Sequence, residues 1–164
     1  MSSRRYVPAA ARATALLLTL TTACGAAHQG DVQPDAVEKK AHTLTQQTLD
    51  ALHPTLGTPR TTTYENKWTQ CATETPGQHR FQYVYGLALA VPEGKSKAVM
   101  QAANAHFASQ GYSVNYSDAP GKRTTADLPK SEWSVGLGVQ NAESIVLEAD
   151  SDCVFTRHDP STKT

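Results

Sequence analysis

Arg80-Phe81-Gln82-Tyr83-Val84-Tyr85-Gly86-Leu87-Ala88-Leu89-Ala90-Val91 is the stretch that decides the fold of this 164-residue chain. Large apolar side chains recur at every second position, from Phe81 through Tyr83, Tyr85, Leu87 and Leu89 to Val91, while smaller or polar residues fill the alternate places. A strand sends successive side chains to opposite faces, so this period of two predicts a β-strand with one face committed to a core. One-sided strands of this kind belong to antiparallel sheets that are covered on a single face. The contact surface for another molecule is expected on the other face, carrying Gln82, Val84 and Ala88, or at the polar segment Ser117 to Lys130.

On the N-terminal side of this strand, Tyr64 to Thr73 reads as a second strand. Thr75-Pro76-Gly77-Gln78 has the residues of a type II turn, so the two form a hairpin. On the C-terminal side the period changes. Lys95 to Gln110 is helical, with Val99, Met100, Ala103, His106 and Phe107 inward and Gly111 suited to the left-handed position that ends a helix. A short strand runs from Tyr112 through Val114 and Tyr116. Ser117 to Lys130 is polar, contains Pro120-Gly121, and reads as a loop or irregular hairpin. Two final strands follow, one alternating Trp133, Val135, Leu137 and Val139 and the other Ile145, Leu147 and Ala149, with a turn at Gln140 to Glu143.

Further toward the N-terminus, Asp35 stands where an N-cap would, with Glu38 as its capping-box partner. Val37, Ala41, Leu44, Thr48 and Leu52 then follow at helical spacing up to His53-Pro54. Their apolar stripe is thin, which places the helix at the domain's edge. The order helix, strand, strand, helix, three strands predicts an α+β fold. It has a mainly antiparallel sheet of about five strands, one helix packed on a face of it and an additional N-terminal helix.

The length suits one domain. Charged residues make up 18% of the chain and aromatic residues 7%, a composition without the high net charge of a disordered protein. The formal charge of zero hides an asymmetry, because Arg4, Arg5 and Arg12 precede Cys24 and no acidic residue does. Without those three arginines, 12 basic residues face 15 acidic ones, a net charge of minus three. With no run of Lys or Arg longer than two, the chain lacks the concentrated basic face of a nucleic-acid binder.

Residues 1–23 are ordered as an export signal, with a basic zone to Arg12, an apolar zone from Ala13 to Leu20, and small residues from Thr21 to Ala23. The uncharged stretch is about half the roughly 20 residues a membrane-spanning helix requires. Leu20-Thr21-Thr22-Ala23-Cys24-Gly25 resembles the lipobox of bacterial lipoproteins, with Thr21 where leucine is usual. The resemblance implies cleavage before Cys24 and transfer of diacylglycerol to its thiol, and two acyl chains suffice for stable anchoring. Ser3-Arg4-Arg5 also resembles part of a twin-arginine signal, which Val7 and Pro8 fit poorly, so the export route stays open. Over roughly residues 80–155 the chain is similar to small lipoproteins of unknown role from actinomycete-type bacteria. The resemblance rests on the helix ending in Gly111-Tyr112-x-Val114 and the strand running into Ser151-Asp152-Cys153. The expected organisation is a signal peptide (1–23), a lipidated tether (24–34), one domain (35–157) and a C-terminal tail (158–164). The expected location is the extracytoplasmic face of the cell membrane.

Cys71 and Cys153 are the other two cysteines, and an oxidising compartment makes them a disulfide pair. Zinc would need four ligands, and neither cysteine has a Cys-x-x-Cys partner or a nearby histidine. In the chain-entropy model a closed loop of about 80 residues stabilises the fold by on the order of 4 to 5 kcal/mol. The phases conflict, however: Cys153 is in step with inward Leu147 and Ala149, whereas Cys71 is out of step with Trp68. Either Trp68 is exposed and Cys71 internal, or a bulge near Cys71 reverses the phase. An exposed Trp68 would join Gln82 and Val84 as a candidate ligand-binding residue; a core Trp68 would not.

No catalytic set is legible. The histidines lack the spacing of a His-Glu-x-x-His site, and His106 reads as a structural residue. Gly-x-Ser-x-Gly and phosphate-loop motifs are missing, and Gly136-x-Gly138 reads as two strand glycines that allow close packing. Glu148, Asp150 and Asp152 alternate along one strand face. They could meet calcium, but carboxylates along a straight strand do not encircle an ion, which favours a solvated face. No metal or cofactor is implied. The sequence therefore points to a noncatalytic, lipid-anchored envelope module that binds a protein or a small ligand. The rival is an envelope hydrolase whose catalytic residues assemble from distant positions.

Overall fold

The computed structural model describes residues 32–72, 80–117, 122–156 and 158–162. The signal segment, Cys24, most of the tether, the Pro76-Gly77 turn and Pro120-Gly121 lie outside these residues. The fold is α+β. Its elements are α1 (Pro34–Leu56), β1 (Thr61–Gln70), β2 (Arg80–Ala90), α2 (Ser96–Ser109), β3 (Ser113–Ser117), β4 (Arg123–Asp127), β5 (Ser134–Asn141), β6 (Ser144–Asp150) and β7 (Val154–Phe155).

Every strand pairing is antiparallel, in the order β1-β2-β6-β5-β4-β3, with β7 beside the start of β2. The β1–β2 hairpin is followed by α2, which carries the chain to the far edge, and β3 to β6 meander back until β6 lies against β2. Seven strands replace the five expected. The additions are β7, only two residues long, and β4, which lies in the segment expected to be a loop or an irregular hairpin and pairs antiparallel with β3, as the hairpin alternative has it. The buried positions of β4 are Thr124 and Ala126, too small and polar to give a hydrophobic alternation.

The alternation of β2 is observed directly: Phe81, Tyr83, Leu87 and Leu89 are buried. They share one core cluster with Val135, Leu137, Ile145 and Leu147 from the sheet, Val37, Ala41, Leu44 and Leu52 from α1, and Val99, Met100, Ala103 and Phe107 from α2. The α1 stripe is completed by Thr45 and Thr48, whose hydroxyls donate to the carbonyls of His42 (2.9 Å) and Leu44 (2.9 Å) and so enter the core satisfied.

α1 begins at Pro34, one residue earlier than expected, and Gln33 takes the N-cap place assigned to Asp35, which lies in the first turn. It also runs past His53-Pro54 to Leu56. Proline in the last turn removes one intrahelical bond without preventing the turn from closing. The helices end near glycines with positive φ, Gly57 (66°) and Gly111 (74°), a conformation other residues adopt only with strain.

Candidate functional site

The disulfide joins Cys71 to Cys153, with Cα atoms 6.3 Å apart. The phase conflict resolves on the Cys153 side: Cys71 continues the β1–β2 ladder, its N–H donating to the Arg80 carbonyl, whereas between Asp150, opposite Val84, and Val154, opposite Phe81, four steps of chain face three on β2, and Cys153 lies in the stretch that holds the extra residue. The bulge in β1 lies upstream, between Thr63 and Glu65. Trp68 is 7% exposed, and its indole N–H donates to Glu38 Oε1 on α1 at 2.9 Å. It therefore takes the core alternative and is not an exposed contact residue. Beside it the Tyr83 hydroxyl donates to Asn66 Oδ1 at 2.7 Å and lies 3.2 Å from His42 Nε2, and burial pushes its pKa up to about 12. Gln82 is half-buried, and its amide donates to the Ser151 carbonyl at 3.1 Å, tying β2 to the chain beyond β6. Val84 lies in register between Lys67 and Asp150. Trp68 thus faces one side of the sheet, Gln82 and Val84 the other.

On the face opposite the core, β5 presents Ser134, Gly136 and Gly138. Registration sets Ser134 between Asp127 and Asp150, Gly136 between Thr125 and Glu148, and Gly138 between Arg123 and Val146. Three small side chains in a row, with larger ones on the strands either side, leave a trough along β5. Its walls are two strand spacings apart, roughly 9 to 10 Å. The cavity measures about 280 Å³ and is lined in part by Tyr64, Arg123, Thr125, Glu148 and Asp150.

The two glycines differ. A Cβ on Gly136 would lie 2.8 Å from the Thr124 carbonyl oxygen and 2.9 Å from Thr125 Cγ2, so β4 closes on β5 only because that atom is missing. A Cβ on Gly138 would meet nothing within 4 Å, so its position is open space in the trough. The close-packing role expected of both thus applies to Gly136 alone.

The β6 wall carries Glu148 and Asp150, and the β4 wall carries Arg123 at one end and Asp127 at the other. Arg123 reaches across to Glu148 with a nitrogen to oxygen distance of 3.8 Å, and its side chain remains 63% exposed. The Ser134 hydroxyl donates weakly to Asp150 Oδ2 at 3.4 Å. Burial raises the Glu148 carboxyl above its ordinary pKa, aided by the charges of Asp150 and Glu65 and opposed by Arg123 and Lys67. Burial likewise raises Asp150, opposed by the Ser134 hydrogen bond and the Arg123 charge. Both carboxylates are therefore short of solvation and of counter-charge. Asp152, expected on the same face, lies beyond the end of β6 next to the disulfide, with Oδ1 buried and without a hydrogen-bond partner among the described residues. Tyr64, 53% exposed, stands at the trough because of the bulge in β1; a Cβ on neighbouring Gly86 would sit 3.4 Å from its ring.

Tyr64 and Arg123 were not legible as site residues in the sequence. The usable signal was the outward series Ser134-x-Gly136-x-Gly138 beside the alternating acids of β6. The segment read as a loop or an irregular hairpin supplies Arg123 and Thr125 to the trough as residues of β4. His106 is half-buried in α2, and burial lowers its pKa. Among the described residues, no group of three or more His, Cys, Asp and Glu side chains is placed to hold a metal ion, and no helix is long and apolar enough to cross a membrane. Compared with protein-family models, curated proteins and solved structures, the chain shows no significant match to any of them.

Proposed function

We propose that this protein is an envelope binding module, held by lipid on Cys24 at the extracytoplasmic face of the membrane, whose contact surface is the trough along β5. In this reading both helices cover the face of the sheet that carries Phe81, Tyr83, Leu87 and Leu89, and the opposite face is left for a ligand. The observation that carries it is the trough: a concave, charged surface with an empty position above Gly138 and two partly desolvated carboxylates. Rigid strands hold every wall, which suits recognition without rearrangement. The anchor rests on the likeness of Leu20 to Gly25 to a lipobox, and the oxidising compartment is consistent with the Cys71–Cys153 bond.

The test is a photo-crosslinking residue placed at Thr125, on the trough wall, or at Lys97, exposed on α2, in cells that make the full chain. Adducts are expected from position 125 and not from 97, and they should disappear when Gly138→Val fills the trough. Adducts insensitive to Gly138→Val, or formed only at 97, would move the contact surface elsewhere. Turnover of an envelope substrate that Gly138→Val abolishes would replace binding with catalysis.

A further inference from the structure

We infer that the trough along β5 takes a small zwitterionic amino compound, laid along the glycine floor with its carboxylate on Arg123 and its ammonium group on Asp150. The inference deepens the proposed function and rests on the trough being the contact surface.

Position and charge together select this chemistry. Arg123 stands opposite Gly138 and Asp150 opposite Ser134, so the cation and the outermost of the β6 acids serve different ends of one trough. The guanidinium leans toward Glu148, which leaves it about one two-residue step, roughly 6.6 Å, from the level of Asp150. That interval is spanned by a molecule with an ammonium and a carboxylate a few bonds apart, each charge meeting its partner in a charge-assisted hydrogen bond. A simple amine would meet Asp150 but be opposed by Arg123, and a simple carboxylate would meet Arg123 but be opposed by Glu148 and Asp150. A dipolar ligand satisfies both ends without adding net charge.

The surroundings agree. Against burial, the Asp150 carboxylate has a long hydroxyl contact from Ser134 and the charge of Arg123, so an ammonium beside it would supply what burial removed. Arg123 meets Glu148 at a long 3.8 Å and is mostly exposed, so it can turn to a ligand carboxylate, for which its fork of donors is suited. The volume of about 280 Å³ lies at the small end of ligand sites, matching an amino acid more than a polymer. The missing Cβ at Gly138 keeps the floor beneath the Arg123 end clear.

The experiment is calorimetric titration of the purified full chain with glycine, β-alanine, 4-aminobutyrate and 6-aminohexanoate, with methylammonium and acetate as single-charge probes. At least one zwitterion is expected to bind saturably and at least ten-fold more tightly than either single-charge probe, with an optimum of chain length inside the series. Arg123→Gln and Asp150→Asn should each weaken it ten-fold or more, and Gly138→Val should abolish it without lowering Tm. Glu148→Gln, which releases Arg123 and removes a like charge from beside the ligand carboxylate, should tighten it. Failure of every zwitterion to saturate, or methylammonium binding as tightly, would overturn the inference. So would tightening by Arg123→Gln together with weakening by Glu148→Gln, the signature of a bare cation site. If crosslinks at position 125 remain sensitive to Gly138→Val while no amino compound binds, the contact surface stands and the zwitterion falls; if both are lost, so is the proposed function.

Discussion

Alanine at Gly136 and alanine at Gly138 are the same substitution, on the same strand and the same face, two residues apart, and should have opposite effects on stability. At Gly136 the new methyl would fall 2.8 Å from the Thr124 carbonyl oxygen, a backbone atom that cannot retreat without opening the β4–β5 pairing. Overpacking of this kind costs about 1 to 3 kcal/mol. Replacing glycine by alanine also restricts the unfolded chain, which returns about 0.4 to 1 kcal/mol, so the net loss spans roughly 0 to 2.6 kcal/mol and centres on about 1 kcal/mol. At Gly138 the methyl meets nothing within 4 Å, only the unfolded-state effect remains, and the variant should gain up to about 1 kcal/mol. The two variants should thus differ by about 2 kcal/mol. Urea denaturation followed by circular dichroism reads this as a difference in midpoint at unchanged slope. Equal changes in stability at the two positions, with no difference approaching about 1 kcal/mol, would refute the close approach of β4 to β5 and with it the shape of the trough.

Three other predictions follow from the same structure. Reduction of the Cys71–Cys153 bond, which closes a span of 82 residues, should remove about 4.5 kcal/mol in the chain-entropy model, measured by urea unfolding with and without reductant; a loss under 1 kcal/mol would contradict it. The Tyr83 hydroxyl keeps its proton in the folded state up to about pH 12 against about 10 when unfolded, so its contribution is intact below pH 10 and lost as pH rises from 10 to about 12; Tyr83→Phe should flatten the stability profile in that window, and an unchanged profile would discount the burial of the hydroxyl. Cys24→Ser should abolish metabolic labelling with a fatty acid and release the protein from membranes or leave its signal uncut, and a labelled variant would overturn the anchor.

The β2 strand could be read from its sequence because its two faces differ so sharply in size and polarity, and sheet class followed from it. β4 could be read no further than as part of a loop or an irregular hairpin, since Thr124 and Ala126 are buried for their smallness and the segment lies between Pro120 and Pro129 in the sequence. The pairing of Cys71 with Cys153 was available from count and compartment, whereas the phase of Cys153 depended on an extra residue between β6 and β7, which alternation within β6 does not encode. The candidate site was half visible. Glu148 and Asp150 alternate in the sequence, but that they border an empty trough depends on which strand pairs with β6, a long-range fact. Arg123 sits opposite Gly138 only through the β4–β5 register. Nothing local to Tyr64 shows that a bulge keeps it on the surface.

The disulfide closes across β2: Cys71 N–H donates to the Arg80 carbonyl at 2.9 Å, and Ser151 N–H, two residues before Cys153, donates to the Tyr83 carbonyl at 2.9 Å. The two sulfurs can meet only after β1 and β6 have both docked on β2 and in the right alignment. A slip of β6 by two residues keeps its apolar face inward and would pass a test of hydrophobic fit alone, but it moves Cys153 by roughly 6.6 Å. Starting from 6.3 Å between Cα atoms, such a shift takes the pair beyond the span of about 7 Å that a disulfide can bridge. The bond is thus a checksum on register. Correctly assembled chains are sealed by oxidation, while slipped ones keep two free thiols and, with no bond to hold them, the freedom to re-register.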